Sequence, residues 1–228
     1  HAGLSNAMER AQTAISRGES SAYQSVSRIA TAMRLHHLIN HLLCQGVAAS
    51  SESLERMSRG EQSGTKSTRN FLRDPRVSSL RRSLSEMGEV HTKIGAVRRL
   101  VLERLRRDVD SRVIVFATYR DTVAAVEKSL KGLEEARPVQ FVGQSSREGR
   151  DGLSAKQQVE RLDEFRSGTA NVLVATSVGE EGLDIPSADL VIFYEPVPSE
   201  IRTIQRRGRT GRHREGEVVV LIAEDTRD

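Results

Sequence analysis

From about residue 90 onward the chain alternates short β-branched runs with helical stretches, and that alternation limits the folds open to it. Residues 113–116, 139–142, 172–175, 190–193 and 218–222 read as strands, and helices are expected at 91–107, 121–130, 154–166 and 199–207. The strands are continuous apolar runs, so both of their faces must be buried, and the connections are long enough to be helical crossovers. An α/β fold follows, with a parallel sheet carrying helices on both faces. Such sheets bind ligands at the carboxyl ends of their strands. The residues just beyond each strand are therefore where chemistry is to be sought.

Residues 1–90 contain no convincing strand and read as a small all-helical domain placed before an α/β domain at 91–228. A long helix is expected over 21–45, ending at Gly46, a suitable C-terminal cap. On it Leu35, Leu38 and Leu42 form one stripe, and Val26, Ala30 and Met33 lie nearly opposite, which predicts partners on both sides. The polar, glycine-containing segment 58–67 (SRGEQSGTKS) reads as a mobile loop. A further helix should start at Asp74-Pro75, an N-cap followed by a proline suited to the first helical position, with Val77, Leu80 and Leu84 facing inward.

Charge and cysteine usage narrow the class. No apolar run approaches the roughly 20 residues needed to cross a bilayer, and no leader pattern opens the chain. The single cysteine, Cys44, has no internal partner for a disulfide, so an intracellular, reducing location is expected. The chain reads as a piece of a longer protein. Its net charge of +4 lies wholly in residues 1–90, which hold 12 basic and 8 acidic side chains against 23 and 23 in the remainder. Arg69, Arg73, Arg76, Arg81 and Arg82 cluster around the Asp74-Pro75 helix start, with Asp74 the one acid among them. That patch is expected to grip nucleic-acid phosphates, the bland alternative being a solvated helical face.

The most informative segment is Gln205-Arg206-Arg207-Gly208-Arg209-Thr210-Gly211-Arg212. Glycines let the backbone come close, and arginines three apart can reach one phosphate from two directions, each offering a planar fork that stays charged. Alone, such a segment is more often a solvated basic turn. Upstream, a strand ending at Thr176 runs into SVGEEGLDIP, residues 177–186. A hydroxyl, glycines and a carboxylate at a strand's carboxyl end suit contacts to a phosphate and a ribose hydroxyl.

Taken together these segments resemble a known family. ATSVGEEGLDIP followed by QRRGRTGR is similar to motifs V and VI of superfamily 2 helicases, and VIVFATYRDTV is similar to motif IV. Residues 141–212, including the YEPVPS turn, resemble the archaeal Hef and FANCM group of fork-processing DNA helicases, and AMRLHHLINHLLCQGV resembles the helical insertion that this group carries between two RecA-like lobes. Two departures stand out: Ala155 replaces a common glutamine, and the insertion has few aromatic residues.

The resemblance implies a second RecA-like lobe at 91–228 and a helical insertion at 1–90. It makes Arg209 and Arg212 the phosphate-facing arginines of ATP hydrolysis, with Gln205 beside them at the interlobe cleft, and it sets Gly182 and Asp184 against the nucleotide. Thr118, Arg120 and Thr176 would touch the nucleic-acid backbone, and Gln158 would lie near the interface. The implied cofactors are ATP and Mg2+, held mainly by another lobe. The implied partners are forked or branched DNA, the N-terminal RecA-like lobe of the same protein and, as a candidate, a C-terminal nuclease domain, with no membrane.

A phosphate-binding GxxxxGK[ST] loop is missing from the sequence. Residues 60–67 (GEQSGTKS) come near it, with Thr65 where the second glycine belongs. No Asp-Glu pair follows a hydrophobic strand either, so the chain is expected to complete an ATPase without being one. His37, His41 and Cys44 share an arc of the long helix and could ligate zinc, but no fourth ligand is evident and packing explains them better. Two other functional readings compete with a DNA helicase lobe. One is a double-stranded RNA translocase lobe of the Dicer and innate-sensor type, from which the GRTGR ending argues away. The other is a non-catalytic scaffold, against which the presence of both Arg209 and Arg212 argues.

Overall fold

The computed structural model describes residues 2–60, 65–143, 153–176, 186–196 and 216–226. Its elements are α1 (Ala2–Ser16), α2 (Ala22–Gln45), α3 (Val47–Arg59), α4 (Lys66–Arg73), α5 (Pro75–Glu86), α6 (Thr92–Arg107), β1 (Val113–Ala117), α7 (Arg120–Leu130), β2 (Pro138–Phe141), α8 (Ala155–Ser167), β3 (Val172–Thr176), β4 (Leu190–Phe193) and β5 (Glu217–Val220). The five strands form one parallel sheet in the order β2-β3-β1-β4-β5. Among the described residues no helix is long and apolar enough to cross a membrane.

The sheet is parallel because each strand must bury both faces. On one face Val113, Val115, Val172, Val174, Leu190 and Ile192 pack against Val97 and Val101 of α6 and Val123 and Val126 of α7. The alternate residues Ile114, Phe116, Leu173, Val191 and Phe193 meet Leu162 and Phe165 of α8 on the other. Burying a side chain of this size contributes roughly 1.5–3 kcal/mol, which is why the central β1 and β4 have no polar positions, while the half-buried edge strands carry Gln140 in β2 and Glu217 in β5. The expected strand over 218–222 starts and stops earlier, at Glu217–Val220, and leaves Ile222 exposed. The helix expected over 199–207 lies outside the described residues.

Local chemistry sets the helix ends as expected. The Asp74 carboxylate accepts the Arg76 backbone N–H at 2.9 Å with Pro75 in the first turn. Ser154 and Gln157 form a reciprocal capping box on α8. α2 stops at Gly46, whose φ of +99° suits glycine. Of the mobile loop expected over 58–67, Ser58 and Arg59 belong to α3, Thr65 caps α4 by accepting the Thr68 N–H at 3.3 Å, and residues 61–64 lie outside the described residues. The near miss to a phosphate loop therefore joins two helices, whereas a phosphate-binding loop follows a strand.

The helices before α6 enclose their own core of Leu38, Leu54, Phe71, Leu72, Val77 and Leu84, with Leu42 and Leu80 at its margin. Leu35 departs from the expected stripe and is 41% exposed, since it lies one turn beyond Leu38, the first α2 residue that this core buries. Periodicity missed α1, α3 and α4 as separate elements, because short polar helices carry little apolar signal. A carboxylate closes the bundle: Glu89 accepts the Val47 and Ala48 N–H groups at 3.0 and 2.8 Å, occupying the N-terminus of α3.

Buried polar contacts join this bundle to the sheet. Arg56 on α3 forks onto Asp121 on α7, with Nε to Oδ1 at 2.8 Å and Nη2 to Oδ2 at 2.6 Å. Thr122 donates to Gln45 Oε1 at 2.8 Å, and the buried Tyr194 hydroxyl donates to the Gln45 carbonyl at 2.9 Å. Burial opposes ionisation of Asp121, but the Arg56 guanidinium outweighs it and holds the carboxyl below its usual range. Arg56→Ala should therefore strand a desolvated carboxylate and lower stability by about 3 kcal/mol. The Arg56→Ala/Asp121→Ala double variant should cost clearly less than the sum of the two single changes, as read from urea unfolding of all four proteins.

Candidate functional site

Four strands end close together, and three residues in succession after β1 are each tied to a different element. Thr118 donates its backbone N–H to the buried carboxylate of Glu195, just past β4. Tyr119 packs edge-on against His41 and His37 of α2, at centroid distances of 5.1 and 5.8 Å. Arg120 donates from Nη2 to the carbonyl of Gly143, just past β2. Ala117 is in register with Thr176, so the carboxyl ends of β1 and β3 are neighbours. Lys93 of α6 supports the same edge from below, its buried ammonium donating to the Tyr194 carbonyl at 2.7 Å and lying 5.1 Å from the Tyr194 ring centroid.

The structure thus gathers Thr118, Arg120 and Thr176 at one edge, with Thr118 exposed and Arg120 half-buried. Arg120 organises that edge through Gly143. Gly182 and Asp184 follow β3 in the chain and Gln205, Arg209 and Arg212 follow β4, and all five lie outside the described residues. Gln158 is buried in α8 and donates to the Val142 carbonyl at 3.0 Å, so it ties α8 to the end of β2 instead of facing a partner. Ala155 is the exposed first residue of α8.

The arginine cluster is less uniform than its sequence suggests. Arg76 forks onto Asp74 at 3.0 and 2.8 Å, and these hydrogen bonds pull the Asp74 carboxyl down to about 2. Arg81 donates to Ser58 and lies 3.6 Å from Glu55. Arg69 is half-buried on α4, while Arg73 and Arg82 are exposed. Charge counting along the chain missed the pairing of Arg81, because Glu55 comes from another helix.

His37, His41 and Cys44 do not act as a set. His37 is exposed, Cys44 is half-buried and His41 is buried, and among the described residues no group of three metal-ligating side chains converges. The Ser50 hydroxyl donates to the Gly46 carbonyl at 2.8 Å, so at 3.2 Å it accepts from His41 Nδ1–H. Burial, then repulsion from His37, lowers the His41 pKa to about 4, and the ring is neutral at pH 7. Sequence reasoning missed Tyr119 and Glu195, although both stand inside quoted motifs.

The helicase conserved C-terminal domain family matches residues 92–214. A putative ATP-dependent RNA helicase of Methanocaldococcus jannaschii is 39% identical over 206 residues, covering 90% of this chain and 26% of that protein. The DEAD-box ATP-dependent DNA helicase Fancm of Drosophila melanogaster is 41% identical over 143 residues, 61% of this chain and 10% of that protein. The crystal structure of the Pyrococcus furiosus Hef helicase domain matches with a TM-score of 0.70 and 38% identity, over 99% of this chain and 46% of that one. The described sheet and its flanking helices are accordingly those of a RecA-like helicase C-terminal lobe.

The buried His41 gives a pH test. With its folded pKa below that of the unfolded chain, the unfolded state binds the extra proton, so stability falls as pH drops from about 6.5 to about 4 and this contribution is flat below. The loss is on the order of 3 kcal/mol. His41→Asn, which keeps a donor toward Ser50, should remove that component from the melting temperatures measured between pH 7.5 and 4.5.

Proposed function

Because this chain belongs to the helicase conserved C-terminal domain family, we propose that it is the second lobe of an ATP-driven DNA helicase or translocase acting inside the cell on forked or branched DNA. In this reading residues 91–228 are the lobe and residues 1–90 the insertion. The observation that carries it is the carboxyl edge, where Thr118 follows Ala117, the register partner of Thr176, so that both threonines lie at the adjoining ends of β1 and β3 while the two motif-bearing segments continue from β3 and β4. The match to the Hef helicase domain over 99% of this chain supports the same reading. The chain spans about a quarter of the M. jannaschii relative and a tenth of the Drosophila one, so the whole protein's activity is part of the proposal.

ATP with Mg2+ supplies the phosphoanhydride to be cleaved and neutralises part of its charge. This chain contributes Arg209 and Arg212, whose guanidinium groups stabilise charge on the transferred phosphoryl group, with Gln205 linking them to the cleft and Gly182 and Asp184 against the nucleotide. Thr118 and Thr176 hold the DNA backbone on an edge that Glu195 and Arg120 keep in place. The exposed Arg73 and Arg82, with Arg69, add phosphate contacts from the insertion, and Arg76 does so in competition with Asp74. The M. jannaschii relative is named an RNA helicase, which keeps RNA as the competing substrate. ATPase stimulation of the full-length protein by fork, duplex and single-stranded DNA and by duplex RNA decides between them.

The 228-residue chain alone should show no ATP turnover, since the sequence has no phosphate-binding loop. In the full-length enzyme Arg209→Ala or Arg212→Ala should lower turnover by about 10³-fold or more with little change in DNA affinity. Equal losses of DNA affinity would reassign these arginines to DNA. Arg73→Ala with Arg82→Ala should flatten the log affinity against log salt slope by about 1–2 units, and adding Arg76→Ala should bring the change to about 2–3 units. Fluorescence anisotropy with a labelled fork, repeated across a salt series, measures both.

A further inference from the structure

The chain has eight aromatic residues, five Phe and three Tyr with no Trp, and burying them is the rule. All five Phe and Tyr194 are buried, and only Tyr23 and Tyr119 leave much surface in water. Tyr23 lies at the far end of α2. Tyr119 is 38% exposed and stands between Thr118 and Arg120 on the edge assigned above to nucleic acid. We propose that the Tyr119 ring is a stacking seat for an unpaired nucleobase, placed beside the backbone-contacting Thr118 and Thr176. The proposal rests on the edge being the nucleic-acid path.

Three features of the site point to that ligand. First, the ring is held before anything binds, because Thr118 is anchored to Glu195, Arg120 to Gly143, and Tyr119 itself to His41 and His37 at interplanar angles of 61° and 65°. A pre-positioned aromatic side chain loses little freedom on stacking. Second, the ring itself carries no charge, the Tyr119 hydroxyl being held in its protonated form by burial and by Glu195, and the buried His41 against it is neutral at pH 7. A neutral π-face suits a nucleobase, whereas a phosphate prefers the cations found elsewhere in the chain. Third, Thr118 and Thr176, at the adjoining carboxyl ends of β1 and β3, are the residues assigned above to the backbone of the same strand. A base inside a duplex has both faces covered, so the occupant is an unpaired base, the kind a fork presents next to its junction.

Site-specific crosslinking tests this on the whole chain. A fork carrying 5-iododeoxyuridine in turn at successive unpaired nucleotides beside the junction should, on irradiation, give an adduct that mass spectrometry maps to Tyr119. Replacing the base at that nucleotide by an abasic site should weaken binding by the wild-type chain about tenfold. The abasic change should leave Tyr119→Leu unaffected, and Tyr119→Phe should behave as wild type. If Tyr119→Leu, folded by circular dichroism, weakens base-bearing and abasic arms equally, the ring is only a packing peg and the seat is overturned. If Thr118→Val with Thr176→Val leaves fork affinity unchanged, the edge reading fails. If that double variant weakens binding but base removal shows no coupling to Tyr119, the stacking seat alone falls.

Discussion

A parallel sheet that must be dry on both faces leaves its strand ends as the one part of the lobe where polar chemistry can meet solvent. Val113 through Ala117 is buried along its whole length, as is Leu190 through Phe193. No side chain in those strands can serve a ligand without vacating the core. The connections beyond the strands are free of that obligation, and the same packing that fills the faces brings the ends of β1, β2, β3 and β4 into one row. The position of the site is therefore a consequence of how the apolar runs are satisfied, before any particular residue is chosen.

The edge is then made rigid by charges that sit where they are hard to solvate. Glu195 is nearly buried and holds the backbone of Thr118, and Lys93 is buried and holds the backbone of Tyr194. Leaving such groups without partners would cost several kcal/mol, so their hydrogen bonds fix the loop geometry narrowly. The helical bundle joins in through Gln45, Arg56 and His41, all meeting the sheet domain near the carboxyl ends of β1 and β4 or along α7. Through Tyr119 and Gln45, the bundle bears on the carboxyl edge itself. A movement of the bundle would be felt at Thr118.

The charge balance shows how tertiary contacts edit a sequence-level patch. Five arginines within a short span look equivalent in one dimension. Folding engages Arg76 with Asp74 and sets Arg81 beside Glu55, so the five differ in their surroundings. Exposed ion pairs contribute little stability. Their effect here is to give each guanidinium a neighbouring carboxylate with which a polyanion would have to compete.

Much of this protein is decided locally and is legible in the chain. The alternation of apolar runs with crossovers dictates a parallel α/β sheet, Asp74-Pro75 and Ser154 start their helices, Gly46 ends α2, and the segments following β3 and β4 carry the family resemblance. These features depend on neighbours within a turn or two, so periodicity and capping chemistry express them directly. Other features appear only when distant parts of the chain pack. Arg120 turns to Gly143, Glu195 lies under Thr118, Gln158 faces inward to Val142, and Tyr119 meets His41 on a helix that precedes it by most of the bundle. The partners in these contacts are separated by chain lengths over which no pattern persists, and which groups meet is set by the docking of α2 and α3 on the sheet domain and of the strands on one another.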